Sequence, residues 1–499
     1  MIDYALGIDV GTSGAKAGLL NLSTLQLEHV ATRGYASTAL QPSAMLWEGT
    51  LAAVREAVAM LAGAGAVQAI GLSGQMHGTV LYDVRGEVIE PIINWQDRRC
   101  DQPLARYAGK TTIQAIAERL GSQGFGDLGI DVMASGFLGA TLFYIKENEW
   151  ALFDRIAHVT LPTDVIRGRL LGQNDYATDQ TNAFGTGLFN TRLNCWHAEF
   201  IQKLGLPLAL FPEVHDSAEV AGTLSAEVAA EVGLARGIPV IYGGGDNQMS
   251  MLGSGLASPR APALINIGTA AQISRVTAAY RKIAGVDTRS FFGGCCAWVG
   301  ASLGGGTSYE WLRDQIRQGG DRDVDYPRMD ALAAGVPPGA DGLRFCPGPS
   351  RQDPQRQLGF YGEIPRAPSV GQRARAVMEG VLMDVMAFYR WLGDDPQPNI
   401  LGAGKGLQKS RVWAQMAADM FGKPLRITDF ENAVFGAALL AGWGVGAVRD
   451  LDEAVGDIRY REVVPDPVTS KMYQEIMTGG TVPSSSMIRT ASPSTSTMS

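Results

Sequence analysis

Apolar and polar residues fall along this chain in two kinds of block. Short apolar runs bounded by glycine read as strands: Ala69-Ile70-Gly71-Leu72, Pro239-Val240-Ile241-Tyr242, Ala263-Leu264-Ile265-Asn266-Ile267 and Ala297-Trp298-Val299. Elsewhere the period lengthens. Leu51 to Leu61 puts Val54, Ala57, Val58 and Leu61 on one face, and Val412 to Met420 does the same with Val412, Trp413, Met416 and Met420, which predicts helices. Strands interleaved with helices indicate an α/β architecture. From Thr478 onward the apolar period stops, and the Ser/Thr/Pro-rich residues 478–499 read as a disordered tail.

Two strand units echo each other. Gly7-Ile8-Asp9-Val10-Gly11-Thr12-Ser13-Gly14-Ala15-Lys16-Ala17 and Asn266-Ile267-Gly268-Thr269-Ala270-Ala271-Gln272-Ile273 each give an apolar strand, a Gly-Thr turn and a second strand. Such a turn exposes backbone N–H groups and lets a ligand approach closely, which suits phosphate. One copy in each half suggests two related domains gripping a nucleotide. A new strand series begins with the second copy, so a boundary falls near residues 243–260.

Composition narrows the classes. The chain has 499 residues, enough for two or more domains, and 46% are hydrophobic. A net charge of −8 with no Lys/Arg run excludes the basic stripe of a nucleic-acid binder. No run of ~18 apolar residues suggests a membrane span, and Asp3 and Asp9 interrupt any signal-like start, so the expected location is cytoplasmic. Five scattered cysteines fit reduced thiols.

Chemistry concentrates where strands run into glycine. Asp9 lies between the first strand and its turn, placed either as a turn former or to face phosphate and Mg²⁺. Lys16, on the following strand, reads as a solvated charge. Asp246 follows Gly243-Gly244-Gly245 and precedes a helical run; it suits both an N-cap and a base for a hydroxyl attacking phosphorus. Gly74-Gln75-Met76-His77-Gly78 ends a strand with groups that bond hydroxyls and pack on a sugar face. In Trp95-Gln96-Asp97-Arg98-Arg99 the carboxylate is placed to bind hydroxyls, or to pair with an arginine and hold a loop.

In order, these motifs resemble the FGGY family of carbohydrate kinases from about Leu6 to about Leu451. They are the Gly-Ile-Asp-x-Gly-Thr-Ser turn, Ser73-Gly-Gln-Met-His-Gly78, Trp95-x-Asp-x-Arg99, Gly244-Gly-Asp-Asn247, Gly268-Thr269, Gly402-Ala-Gly404 and Phe435-Gly-Ala-Ala438. The resemblance implies two ribonuclease-H-like, actin-like ATPase domains with an interdomain cleft: a sugar-binding domain over 1–245 and a nucleotide-binding domain over 246–477. It implies Asp246 as general base, also touching substrate, and Asp9 near Mg²⁺. Thr12, Ser13, Gly268 and Thr269 would meet the ATP phosphates, and Gly402 and Gly404 the adenosine. Gln75, Met76, His77 and Asp97 would line the sugar site. The expected partners are a small-molecule ketose and ATP, with no nucleic acid or membrane and a homodimer as the candidate assembly.

Within the family, Gln-Met-His is similar to xylulose kinases, whereas Trp95-Gln96-Asp97 and Asp246-x-Gln248 are similar to sedoheptulose kinases. The expected activity is therefore transfer of the γ-phosphate to a terminal hydroxyl of sedoheptulose, with a xylulose or ribulose kinase as the alternative. A non-catalytic sugar sensor and an assembling actin-like ATPase are readings from other classes. Two departures stand out. Arg98 replaces a usual glycine, and Pro349-Ser350-Arg351-Gln352-Asp353 replaces the common Gly-Glu-Arg segment.

Overall fold

The computed structural model describes residues 2–479 apart from 62–64, 122–124, 131–132, 303, 350–352, 354, 363–366 and 394. Residues 480–499, most of the expected tail, and Ser350 to Gln352 of the replaced Gly-Glu-Arg segment lie outside the described residues. The chain divides into two compact units. The first takes residues up to Ala261 with Val276–Trp298 and Phe430–Ile458; the second takes Pro262–Arg275, Val299–Asp429 and the chain from Arg459. Residues 245 and 246 both lie in the first.

The first unit is built on a sheet whose strands stand in the order Val220–Thr223, Pro239–Ile241, Gly65–Gly74, Ile2–Val10, Gly14–Asn21, Gln26–Gly34. Ile2–Val10 pairs antiparallel with Gly14–Asn21 through the Gly-Thr turn and parallel with Gly65–Gly74. Three meandering strands followed by parallel ones form the ribonuclease-H-like arrangement. Ile2–Val10 is buried from Tyr4 onward because helices cover both faces. Helix Ser43–Ala59 packs Leu46, Leu51, Val54, Ala57 and Val58 into one core, realising the helix read around Leu51.

Helix Asn432–Gly444 covers the other face. Its residues are apolar nearly all round, as a helix enclosed by protein must be. It lies between the sheet and helix Asp246–Gly253, at backbone contact with both. Gly7 and Gly71, paired across neighbouring strands, face it: a Cβ on Gly7 would stand 2.0 Å from the Val434 carbonyl oxygen, and one on Gly71 1.9 Å from that of Ala437.

The second unit repeats the plan. Leu264–Ile267 pairs antiparallel with Ala271–Thr277 through the second Gly-Thr turn and parallel with Ile400–Ala403, beyond which stand Leu425–Ile427 and Arg461–Val463. Helix Arg411–Phe421 buries Trp413, Met416 and Met420; Val412 falls off that face and is only partly covered.

Candidate active site

Three parallel segments of the first sheet end side by side. Asp9 stands opposite Ser73 on the neighbouring strand, and Ser73 and Gly74 stand opposite Gly244 and Gly245. The chain therefore leaves the sheet at three adjacent points: into the turn at 11–13, into Gln75-Met76-His77, and into Asp246. Ligand groups of α/β sheets gather at such carboxyl ends.

Asp246 is the first residue of its helix, with Gly245 as the N-cap; the side chain is not the cap that its local sequence also suited. Burial pushes its carboxyl up to about 7, and the charge of Asp9 adds to this; the Asn247 backbone N–H and Arg289 oppose it. Asp9 is buried and accepts a hydrogen bond from Ser73 Oγ at 2.8 Å. Burial raises its carboxyl too, against Lys16 and the Ser73 hydroxyl. Lys16 is not the solvated charge expected: it stands across the ladder from Asp9 and ion-pairs with Glu431 at 2.8 Å.

Met76 is buried against Gly245, where a Cβ would lie 2.6 Å from its Cγ. Any side chain there would force Met76 to move. His77 donates from Nδ1 to the Gly185 carbonyl at 2.7 Å and stacks on Phe137 at 4.2 Å. Burial pulls its imidazole down to about 4, helped by Arg289, so the ring is neutral and Nε2 is an acceptor. Its backbone sits at φ +74°, a left-handed conformation that costs about 1–3 kcal/mol and recurs at functional sites.

Other expected residues are held within the fold. Gln75 is buried, donating to Gln41 Oε1 at 2.8 Å and accepting from Thr12 Oγ1 at 3.3 Å. Thr12 Oγ1 also accepts from Trp95 Nε1 at 2.8 Å, while Ser13 is exposed at the turn tip. Asp97 is gripped by Arg99, which donates from its backbone N–H and from Nε, each at 2.9 Å. The loop-holding pair is thus present. Arg98 is exposed at φ −112°, a position that does not demand glycine.

In the second unit the Gly-Thr turn is closed by Gly268 N–H donating to the Ala270 carbonyl at 3.0 Å. Gly306 N–H, opening helix Gly306–Gln318, donates to the Gly268 carbonyl at 2.8 Å, and Thr307 N–H to that of Thr269 at 3.2 Å. Gly402 stands in the strand Ile400–Ala403 opposite Ile265, and Gly404 turns at φ +84° where a Cβ would strike Asn266 Oδ1 at 2.4 Å. Asn266 thus holds the place in this copy that Asp9 holds in the first.

Sequence reasoning missed Arg289. It lies in Asp287–Ser290, four polar residues that are all buried, and donates to Asn247 Oδ1 at 2.8 Å and Asp287 Oδ2 at 3.0 Å. A run of polar residues reads as surface, so no local signal marked it.

Among the described residues no cluster of three or more His, Cys, Asp or Glu could cage a metal, and no helix is long and apolar enough to cross a membrane.

Residues 4–253 match the model of the FGGY family of carbohydrate kinases, N-terminal domain, and residues 263–445 that of its C-terminal domain. A xylulose kinase of Escherichia coli (strain K12) is 28% identical over 492 residues, covering 94% of this chain and 96% of that protein. A glycerol kinase of Ralstonia nicotianae is 29% identical over 497 residues, covering 91% and 92%. The crystal structure of a xylulose kinase from Rhodospirillum rubrum superposes with a TM-score of 0.83 at 25% identity, covering 95% of this chain and 97% of that one.

Proposed function

The chain belongs to the FGGY family of carbohydrate kinases and acts on a sugar and ATP; on that premise we propose that it phosphorylates a terminal hydroxyl of xylulose. The relatives' names favour this pentulose over sedoheptulose, which the sequence details around Trp95 and Gln248 had suggested. The observation that carries the site is that the strand ends leading into Gln75-Met76-His77 and into Asp246 lie side by side, with Met76 packed against Gly245.

In this reading the ketose lies against Met76, with a hydroxyl donating to His77 Nε2 and its terminal hydroxyl at Asp246. Asp246 takes the proton as that oxygen bonds to the γ-phosphorus, and the bond from phosphorus to the bridging oxygen of ADP breaks. Its raised pKa suits the role: near neutrality the carboxylate is both present and basic. Gln75 and Asp97, already bonded to Thr12 and Arg99, fix the shape of the sugar pocket and keep remaining oxygen lone pairs for it. The backbone N–H groups of the turns at Thr12-Ser13 and Gly268-Thr269 hold the phosphates, with Gly402 and Gly404 beside the adenosine. In functional terms 1–245 is the sugar-binding part and 246–477 the nucleotide-binding part, Asp246 standing with the former in space.

Asp9, a buried carboxylate outside any cluster of three or more candidate ligands among the described residues, fits Mg²⁺, which keeps waters and phosphate oxygens as its other ligands. Asp9 would hold it, and the ion would neutralise charge on the phosphates.

Release of ADP on adding xylulose tests the activity, and His77→Ala tests the site. We expect the variant to raise the KM for ketose about tenfold and to leave that for ATP within about twofold, the size of one lost hydrogen bond. A larger change for ATP would remove His77 from the sugar pocket.

A further inference from the structure

Three arginines are buried among the described residues, and they differ in how their nitrogens are matched. Arg167 donates from Nε to Asp175, from Nη1 to Asp164 and the Tyr242 carbonyl, and from Nη2 to the Ala177 carbonyl. Arg375 likewise uses Nε on Glu379, Nη1 on the Ala333 carbonyl and Nη2 on the Tyr473 hydroxyl. Both are structural hubs with every nitrogen engaged. Arg289 uses Nη1 on Asn247 and Nη2 on Asp287, but its buried Nε has no hydrogen-bond partner. A buried guanidinium N–H left unmatched is costly, and native folds rarely tolerate one without a reason.

The place of Arg289 supplies a reason. Its guanidinium lies over the Phe184 ring at 5.7 Å, and the next residue, Gly185, holds His77. Through Asn247 it is tied to the residue that follows Asp246. Its charge is felt at both Asp246 and His77. The ion pair with Asp287 offsets that charge, so the group suits an uncharged polyol better than an anion. Two further buried acceptors, Gln248 Oε1 and Ser290 Oγ, are also unmatched next to it in sequence or by contact, Gln248 Nε2 donating to the Ser290 carbonyl at 3.3 Å.

We propose that Arg289 contacts the sugar, donating to a hydroxyl of the ketose other than the one phosphorylated, and so helps to set which ketose is accepted. The proposal rests on the assignment of Asp246 and His77 to the sugar site. The test is a cycle between protein and substrate: wild type and Arg289→Met, each assayed with xylulose and with monodeoxy ketoses lacking one hydroxyl apiece. Arg289→Met should raise the ketose KM about 10–100-fold with the ATP KM unchanged, as for a lost bond to a charged donor. One deoxy sugar should lose at least about tenfold in kcat/KM with wild type and less than about twofold with the variant. Arg289→Lys, which keeps a cation beside Asp287, carries the same cycle if the Met variant does not fold. Equal losses for every deoxy sugar in wild type and variant would make Arg289 a support for Asn247 alone and overturn the proposal. Failure of wild type to release ADP with any ketose would instead overturn the underlying function.

Discussion

Replacing Asp246 by Asn is expected to lower kcat by about 10²–10⁴-fold, the range that a positioned general base contributes. The amide keeps the size of the carboxyl at the helix start and should leave ATP affinity within about twofold. The pH profile gives a second signature. The folded-state pKa of Asp246 is raised to about 7, and the active form is the carboxylate. In wild type, kcat/KM for the ketose should therefore climb about tenfold per unit as pH rises towards 7 and level off above it. The residual activity of Asp246→Asn should lack this limb. Stability should move the other way. A carboxyl whose pKa is raised on folding costs stability once pH passes from its unfolded value up through about 7. At pH 8 the Asn variant should accordingly melt above wild type. Near-wild-type turnover in that variant would remove Asp246 from catalysis, whatever its thermal behaviour.

The second large effect is expected at a residue with no proposed ligand contact. Gly71→Ala should cost about 3 kcal/mol, at the upper end of what overpacking a core costs. The new methyl would meet the Ala437 carbonyl oxygen at 1.9 Å, and backbone on both sides leaves no flexible side chain to yield. Helix Asn432–Gly444 would have to lift from the sheet. The same helix touches the helix of Asp246 at backbone distance, because a Cβ on Gly436 would stand 2.0 Å from the Met249 carbonyl oxygen. The strain is thus passed towards the helix that begins with Asp246, the proposed base, and kcat should fall along with Tm. An unchanged melting temperature measured by calorimetry would show that this contact is softer than its geometry.

Much of the candidate site could be proposed from the sequence, for a physical reason. Asp9, the Met76-His77 pair and Asp246 sit where an apolar strand gives way to glycine, and both features are local. The Gly-Thr echo likewise announced two similar units, because a tight turn between paired strands needs only neighbouring residues. What escaped was non-local. Nothing near Asn432 says that its helix covers strands at residues 2–10 and 65–74 in the first unit. Lys16 looked solvated because its partner Glu431 lies at the other end of the chain. Arg289 looked like surface because its burial comes from packing against residues 180–184, not from its own apolar neighbours. For Asp97 the sequence left a sugar ligand and a loop-holding partner as alternatives, and the pairing with Arg99 became visible only with side chains in place. Details around Trp95 and Gln248 pointed to a heptulose, while the relatives' names point to xylulose.

The most direct test is a coupled assay of ADP release with ATP and, in turn, xylulose, ribulose and sedoheptulose, together with the Asp246→Asn variant under the same conditions. The account predicts ketose-dependent ADP release with the highest kcat/KM for xylulose, and its collapse in the variant. A higher kcat/KM for sedoheptulose, or release that does not depend on any ketose or on Asp246, would contradict it.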